Sequence, residues 1–113
     1  MSECLFCAIV AGDIPADVVY RDDDVVAFRD IAPQAPVHVL VVPVTHVENV
    51  RDLADLDAAL AGKLLQAVGR VAAQEGLDTD YRLVFNTGAG AGQSVFHAHG
   101  HVLGGRSLTW PPG

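Results

Sequence analysis

Three of the five histidines in this 113-residue chain stand at every second position of one short stretch: His97, His99 and His101 in the segment FHAHGHVLGG. A strand turns alternate side chains to opposite faces, so this spacing predicts a β-strand that presents three imidazoles in a row on one side of a sheet. A polar, water-facing strand would account for one such histidine. Three at strict period two, flanked by apolar Phe96, Val102 and Leu103, point instead to imidazole used as a metal ligand, a nucleophile or an acid and base. Ala98 and Gly100 alternate with them, and residues this small leave room for another element to approach the opposite face. The long helix described next is the candidate for that element.

Residues 4–11, short and apolar ahead of Gly12 and Pro15, predict a single helical turn that ends in a loop. VVYRDDDVVAFRD reads as two strands around a turn at Asp22, Asp23 and Asp24. Val37 to Val42, rich in β-branched residues and closed by Pro43, reads as a strand buried on both faces. From Leu53 to Glu75 the period becomes helical, with Leu56, Leu60, Leu64, Ala67 and Val71 in one stripe, Asp52 as the starting cap and Gly76 at the end. YRLVFN is a further strand, TGAGAG a loop, and the histidine segment the last strand. Strands in hairpin-like order with one long helix predict an α+β fold with a mainly antiparallel five-stranded sheet, in a single domain spanning residues 1–113.

Lys and Arg number 7 against 14 Asp and Glu, a formal net charge of -7, so the chain has no basic field with which to hold a nucleic-acid polymer. A phosphate ligand must then be met locally, by backbone N–H groups, short polar side chains and histidines. The opening MSECLFCAIVAGDIP has no basic segment, and no apolar run approaches bilayer length, which predicts a cytoplasmic protein with no membrane partner. In a reducing compartment Cys4 and Cys7 are a metal pair, a redox pair or buried apolar residues rather than a structural disulfide. A domain this small also gains from a metal or a partner subunit.

The loop NTGAGAGQS precedes the histidines. Gly88, Gly90 and Gly92 allow its backbone to turn N–H groups inward, and Asn86, Gln93 and Ser94 add short neutral donors. GAGAG is not a dinucleotide fingerprint, because a strand rather than a helix follows it. Asp30, between Phe28 and Ile31, can accept hydrogen bonds from sugar hydroxyls.

GQSVFHAHGHVLGG with the tail WPPG resembles the histidine triad nucleotide-binding family, in its Hint branch, and the similarity extends over IPADVVYRDDDVVAFRDIAPQAPVHVLVVPVTH and so over nearly the whole chain. That family carries bulky apolar residues where this chain has Ala98 and Gly100. The resemblance implies a HIT-like fold whose sheets join across a homodimer, and hydrolysis of the P–N bond of purine nucleoside phosphoramidates through a nucleotidyl-histidine, releasing AMP or GMP and an amine. In that reading His99 is the nucleophile, His101 contacts the phosphate and the departing group, His38 supports their hydrogen-bond network, and His97 completes the triad. Asp30 holds the ribose, with Leu5, Phe6, Ile9, Ile14, Phe28 and Ile31 around the base. Asn86, Gly92, Gln93 and Ser94 face the phosphate, and Trp110 lies near a leaving-group pocket. No organic cofactor is implied.

One Cys-x-x-Cys supplies half of a tetrahedral zinc site, and buried thiols or a redox pair are the other readings of Cys4 and Cys7. Some bacterial histidine triad proteins and the related galactose phosphate uridylyltransferases are similar here. That resemblance implies a structural zinc on Cys4, Cys7, His46 and His97. Two other functions share the same strand: hydrolysis or phosphorolysis of dinucleoside polyphosphates, against which the WPPG ending argues, and a nucleotide-binding interaction module with residual turnover.

Overall fold

The computed structural model describes residues 4–113, with helix α1 at Leu5–Ala11, strands β1 at Val18–Arg21, β2 at Val25–Arg29 and β3 at Val37–Pro43, helices α2 at Val50–Leu56 and α3 at Ala58–Gln74, and strands β4 at Tyr81–Val84 and β5 at Gly100–Gly104. The five strands form one antiparallel sheet in the order β1-β2-β3-β5-β4. This is the expected α+β architecture with two amendments. The last strand in sequence inserts between β3 and β4 rather than following in hairpin order, and three helices replace one long and one short. Among the described residues no helix is long and apolar enough to cross a membrane.

Alternation along the central strands divides the interior in two. Val25, Ala27, Val39, Val41 and Val102 face α2 and α3, and pack with Leu53, Leu60, Leu64, Ala67 and Val71. Val26, Phe28, Leu40 and Val42 face the other way, where Phe6 and Ile9 of α1 cover them. β3 is therefore buried on both faces, as its unbroken apolar run predicts. His38 and His101 lie at the α1 face, at the centre of the sheet, where β3 and β5 are neighbours with Leu40 opposite His101.

The predicted helix from Leu53 to Glu75 is broken at Asp57, whose φ of -155° takes it out of the helix and whose carboxylate caps the next segment by accepting from the Leu60 N–H at 3.0 Å. Asn49, not Asp52, caps the first segment, accepting from the Asp52 N–H at 2.8 Å. The break also removes Leu56 from the apolar stripe. It is 67% exposed, whereas Leu60, Leu64, Ala67 and Val71 are buried. Gly76 follows α3 with φ +79°, the left-handed residue expected just beyond a helix end. At the other end of the chain α1 is a seven-residue helix rather than a single turn, with the Cys4 thiol accepting from the Cys7 N–H at 3.3 Å.

Pairing of β5 begins only at Gly100. The predicted strand from Phe96 is shorter than expected: the chain ahead of Gly100 leaves the β3 ladder and is held instead by the Ala98 N–H donating to Val47 O at 2.7 Å. The small residue at position 100 is required, although by different neighbours from those expected: a Cβ there would lie 2.9 Å from Leu83 Cδ1 and 3.0 Å from the Phe85 ring, side chains of β4 and its continuation rather than of the long helix.

Replacing Asp57 removes the cap of the longest helix, so Asp57→Ala should cost about 1 kcal/mol and lower the melting temperature by roughly 4 °C in a domain of this size. Thermal unfolding followed by circular dichroism checks this, and an unchanged midpoint would show that the break between α2 and α3 is held by packing alone.

Candidate functional site

Five histidines converge at the α1 face around the start of β5, and one hydrogen bond at each of three rings assigns its tautomer. His99 Nδ1 lies 2.7 Å from the main-chain oxygen of His97. A carbonyl only accepts, so Nδ1 carries the proton and the Nε2 lone pair is free. His38 is arranged in the opposite sense. Its Nδ1 accepts from the Gln34 N–H at 3.0 Å, so the proton sits on Nε2, which faces His101 Nδ1 at 2.9 Å and Asp30 Oδ2 at 3.4 Å. His101 Nδ1 is thereby an acceptor, and its Nε2 is left as a donor. The His99 and His101 rings stand 5.0 Å apart. A nucleophilic lone pair and a neutral N–H donor thus sit side by side.

Burial keeps these rings neutral. It is the largest cause of a lowered pKa at His38 and at His99, with the Asp30 carboxylate opposing it in both. At His101 burial, followed by the neighbouring His99 and His38, brings the pKa down to about 4. An imidazole that stays uncharged keeps its lone pair for attack and donates from its N–H without a proton to lose first.

His97 points to a second centre. Its Nε2 donates to Pro43 O at 2.8 Å, which leaves the Nδ1 lone pair free 3.4 Å from Cys4 Sγ, 3.4 Å from Cys7 Sγ and 3.2 Å from His46 Nδ1. His46 Nδ1 is also 3.3 Å from Cys7 Sγ. A tetrahedral ion with bonds of about 2.0–2.3 Å holds its donors roughly 3.3–3.8 Å apart, so these four pairs already have nearly the separation a metal requires, and all four ligand atoms lie within 4.8 Å of one another. The outward N–H of His97 on a carbonyl is the usual support of a ligating imidazole. This group could hold a metal ion. Asp30, His38 and His101 also cluster, but they do not fit one. His38 Nδ1 is occupied by the Gln34 N–H, so its Nε2 keeps a proton and has no lone pair for a metal.

The remaining predicted residues divide by placement. Phe6 and Phe28 are buried, their rings edge to face at 5.3 Å, and Phe6 also sets its edge against His99 at 4.9 Å. Asp30 Oδ1 accepts from the Ala32 N–H at 2.8 Å, which turns its other oxygen toward His38. Ile31 is fully exposed. Asn86 lies against Gly92, within 3.8 Å of where a Cβ would stand. Ser94 is exposed.

Gln93 is buried and wholly engaged with backbone, accepting from the Gly88 N–H and donating to Glu48 O and Val95 O. It shapes the loop and is not one of the donors expected there. Likewise the N–H groups of Ala91, Gly92 and Gln93 are taken up within the loop by the carbonyls of Gly88 and Ala89. The glycines at 88 and 92, both at positive φ, make that internal turn rather than an open cradle. Sequence reasoning missed the groups that orient the imidazoles, namely the carbonyls of His97 and Pro43 and the Gln34 N–H. Every residue has such groups, so composition carries no signal for them.

Residues 11–108 match the model of the HIT domain. An uncharacterized HIT-like protein of Synechococcus elongatus is 54% identical, with 100% of both chains covered. The crystal structure of a HIT family hydrolase from Legionella pneumophila superposes with a TM-score of 0.94 at 50% identity, covering 98% of this chain and 100% of that one. A histidine triad protein from Clostridium difficile has a TM-score of 0.91 at 38% identity, with 96% of each chain covered. The domain match, identity over the full length and the shared fold together establish that this chain belongs to the HIT domain family.

Proposed function

We propose that the protein is a hydrolase of the Hint branch that cleaves the P–N bond of purine nucleoside phosphoramidates. The observation that carries this reading is the hydrogen bond from His99 Nδ1 to the main chain of His97, because it leaves Nε2 as an unprotonated nucleophile at neutral pH. The similarity to a HIT family hydrolase supports hydrolysis as the reaction class. His99 Nε2 forms a bond to the α-phosphorus as the P–N bond breaks, and the nitrogen takes a proton from solvent and departs as the amine. Water then cleaves the N–P bond to His99, restoring the imidazole and releasing AMP or GMP.

His101, fixed as an Nε2–H donor by the hydrogen bond it accepts at Nδ1, stabilises charge on the phosphoryl oxygens or at the departing nitrogen. His38 holds His101 in that tautomer. Asp30 takes the ribose hydroxyls, Phe6, Phe28 and Ile31 bound the base, and Asn86, Gly92 and Ser94 approach the phosphate from the loop that Gln93 shapes. Cys4, Cys7, His46 and His97 would hold a zinc ion with four protein ligands, and such an ion would supply structural stability rather than an activated water. Thiolate ligands of this kind suit a reducing cytoplasm. The strand order leaves β4 at a sheet edge with Tyr81 exposed, which supports joining of two sheets in a homodimer.

Incubation with adenosine 5'-phosphoramidate and with diadenosine tetraphosphate should give rapid turnover of the first. Rapid turnover of the second alone would transfer the protein to the polyphosphate hydrolases. His99→Ala should lower the phosphoramidate rate at least about 10³-fold while nucleotide still binds, and a parental rate in that variant would remove His99 as nucleophile. Elemental analysis should find one zinc per chain, falling sharply in Cys7→Ala, and a metal-free parent purified without chelators would exclude the site. Light scattering should return twice the chain mass, whereas a monomer would leave the β4 edge free.

A further inference from the structure

The nucleophile and the metal group meet in one residue. His97 offers its ring Nδ1 to Cys4, Cys7 and His46, and its main-chain oxygen to His99 Nδ1 at 2.7 Å. The same ring is held at its far side by Pro43 O, and the next residue is held by Ala98 N–H on Val47 O. A second connection runs through α1. Cys4 and Cys7 bracket Phe6, and the Phe6 ring packs edge-on against both His99 at 4.9 Å and His97 at 6.1 Å.

We infer that metal on Cys4, Cys7, His46 and His97 positions the His99 imidazole for attack, through the His97 carbonyl on one side and Phe6 on the other, and so sets the rate of nucleotidyl transfer. This inference rests on the proposed function. A seven-residue helix is too short to hold itself in water, and α1 is otherwise tied down by burial of Phe6 and Ile9 and by Arg21 donating to Val10 O. Without metal the two thiols keep hydrogen bonds of 3.3–3.4 Å to the His97 and His46 rings, which hold the helix less tightly than metal bonds. His97 Nδ1 is then held only by such contacts, and its carbonyl is freer to move. The hydrogen bond that selects the Nδ1–H tautomer of His99 weakens, and the other tautomer, with the proton on Nε2, cannot attack. Phe6 is the positioning residue of this device, together with the four ligands.

The test compares zinc-loaded protein, protein stripped by chelator under reducing conditions, and the stripped protein reloaded with zinc. Each is mixed with adenosine 5'-phosphoramidate and quenched within one turnover to measure the nucleotidyl-His99 adduct. Long-range proton–nitrogen spectra report the His99 tautomer, and AMP titration reports binding. Stripping should slow adduct formation roughly tenfold or more, shift His99 from one tautomer to a mixture, and leave AMP affinity within a few-fold, with reloading restoring all three. An unchanged rate and a single unchanged tautomer in folded, metal-free protein would overturn the coupling.

If the stripped chain unfolds, His46→Gln replaces stripping. His46 is exposed and its change weakens the site without emptying the core. Adduct rate in that variant should rise with added zinc along the occupancy curve, and a rate independent of occupancy sinks the proposal. Loaded parent protein that forms no adduct at all would instead refute the phosphoramidase reading.

Discussion

The structure turns on His97, a fully buried imidazole with three fixed connections. Its Nε2–H is satisfied by Pro43 O at the end of the central strand β3, its Nδ1 faces two cysteines and His46, and its carbonyl holds the Nδ1 proton of His99. A buried polar ring left unpaired costs on the order of 1–3 kcal/mol for each orphaned group. With every group engaged, the same low-dielectric surroundings strengthen each bond and fix one arrangement. The His97 carbonyl therefore dictates the tautomer of its neighbour two residues on. No other side chain in the segment reaches both centres.

The electrostatic design follows from that burial. The protein as a whole is acidic, yet around β5 the surroundings favour uncharged imidazole, with desolvation lowering the pKa of His38, His97, His99 and His101 alike. Asp30 is the one carboxylate that works against this at three of them, His38, His99 and His101. Protonation of one ring would raise the energy of charging the next, since the His99 and His101 centroids are only 5.0 Å apart and His38 lies 5.2 Å from His101. The site thus carries lone pairs and N–H dipoles in place of full charges. Phosphate oxygens would be met by oriented donors rather than by lysine or arginine. The absence of basic residues from the sequence around the triad is consistent with that.

The residues of this site were legible in the sequence because side-chain chemistry at fixed spacing survives any local error about structure. Period two placed His99 and His101 together even though regular pairing stops at Gly100, and the two rings stand 5.0 Å apart. The Cys-x-x-Cys pair alone was ambiguous; the resemblance named His46 and His97 as its partners, and the fold brings those two rings to the thiols. What could not be read were bonds made by backbone groups: the carbonyl that holds His99, and the internal turn that occupies the N–H groups of the glycine loop. The helix break escaped for a related reason. Asp57 has an unremarkable place in an amphipathic pattern, and its capping role appears only when Leu56 turns to solvent and Leu53 to the core.

Small residues between the histidines follow from the same crowding. At Gly100 a side chain would collide with Leu83 and Phe85, and Ala98 is almost completely buried. Bulk that could be placed on the histidine strand itself is supplied here from β4 and the residues after it. The face of β5 opposite the histidines is filled from one side by Phe85 and Leu83, while the histidine face is filled by Phe6 from α1. The ring of His99 is then packed by an element at the beginning of the chain, while that of His101 is held by His38 of β3. That arrangement makes the anchoring of α1 matter to the packing of His99. A helix of two turns gains its fixed position from tertiary contacts, and here these are the burial of Phe6 and Ile9, Arg21 on Val10 O, and the thiols of Cys4 and Cys7 beside His97.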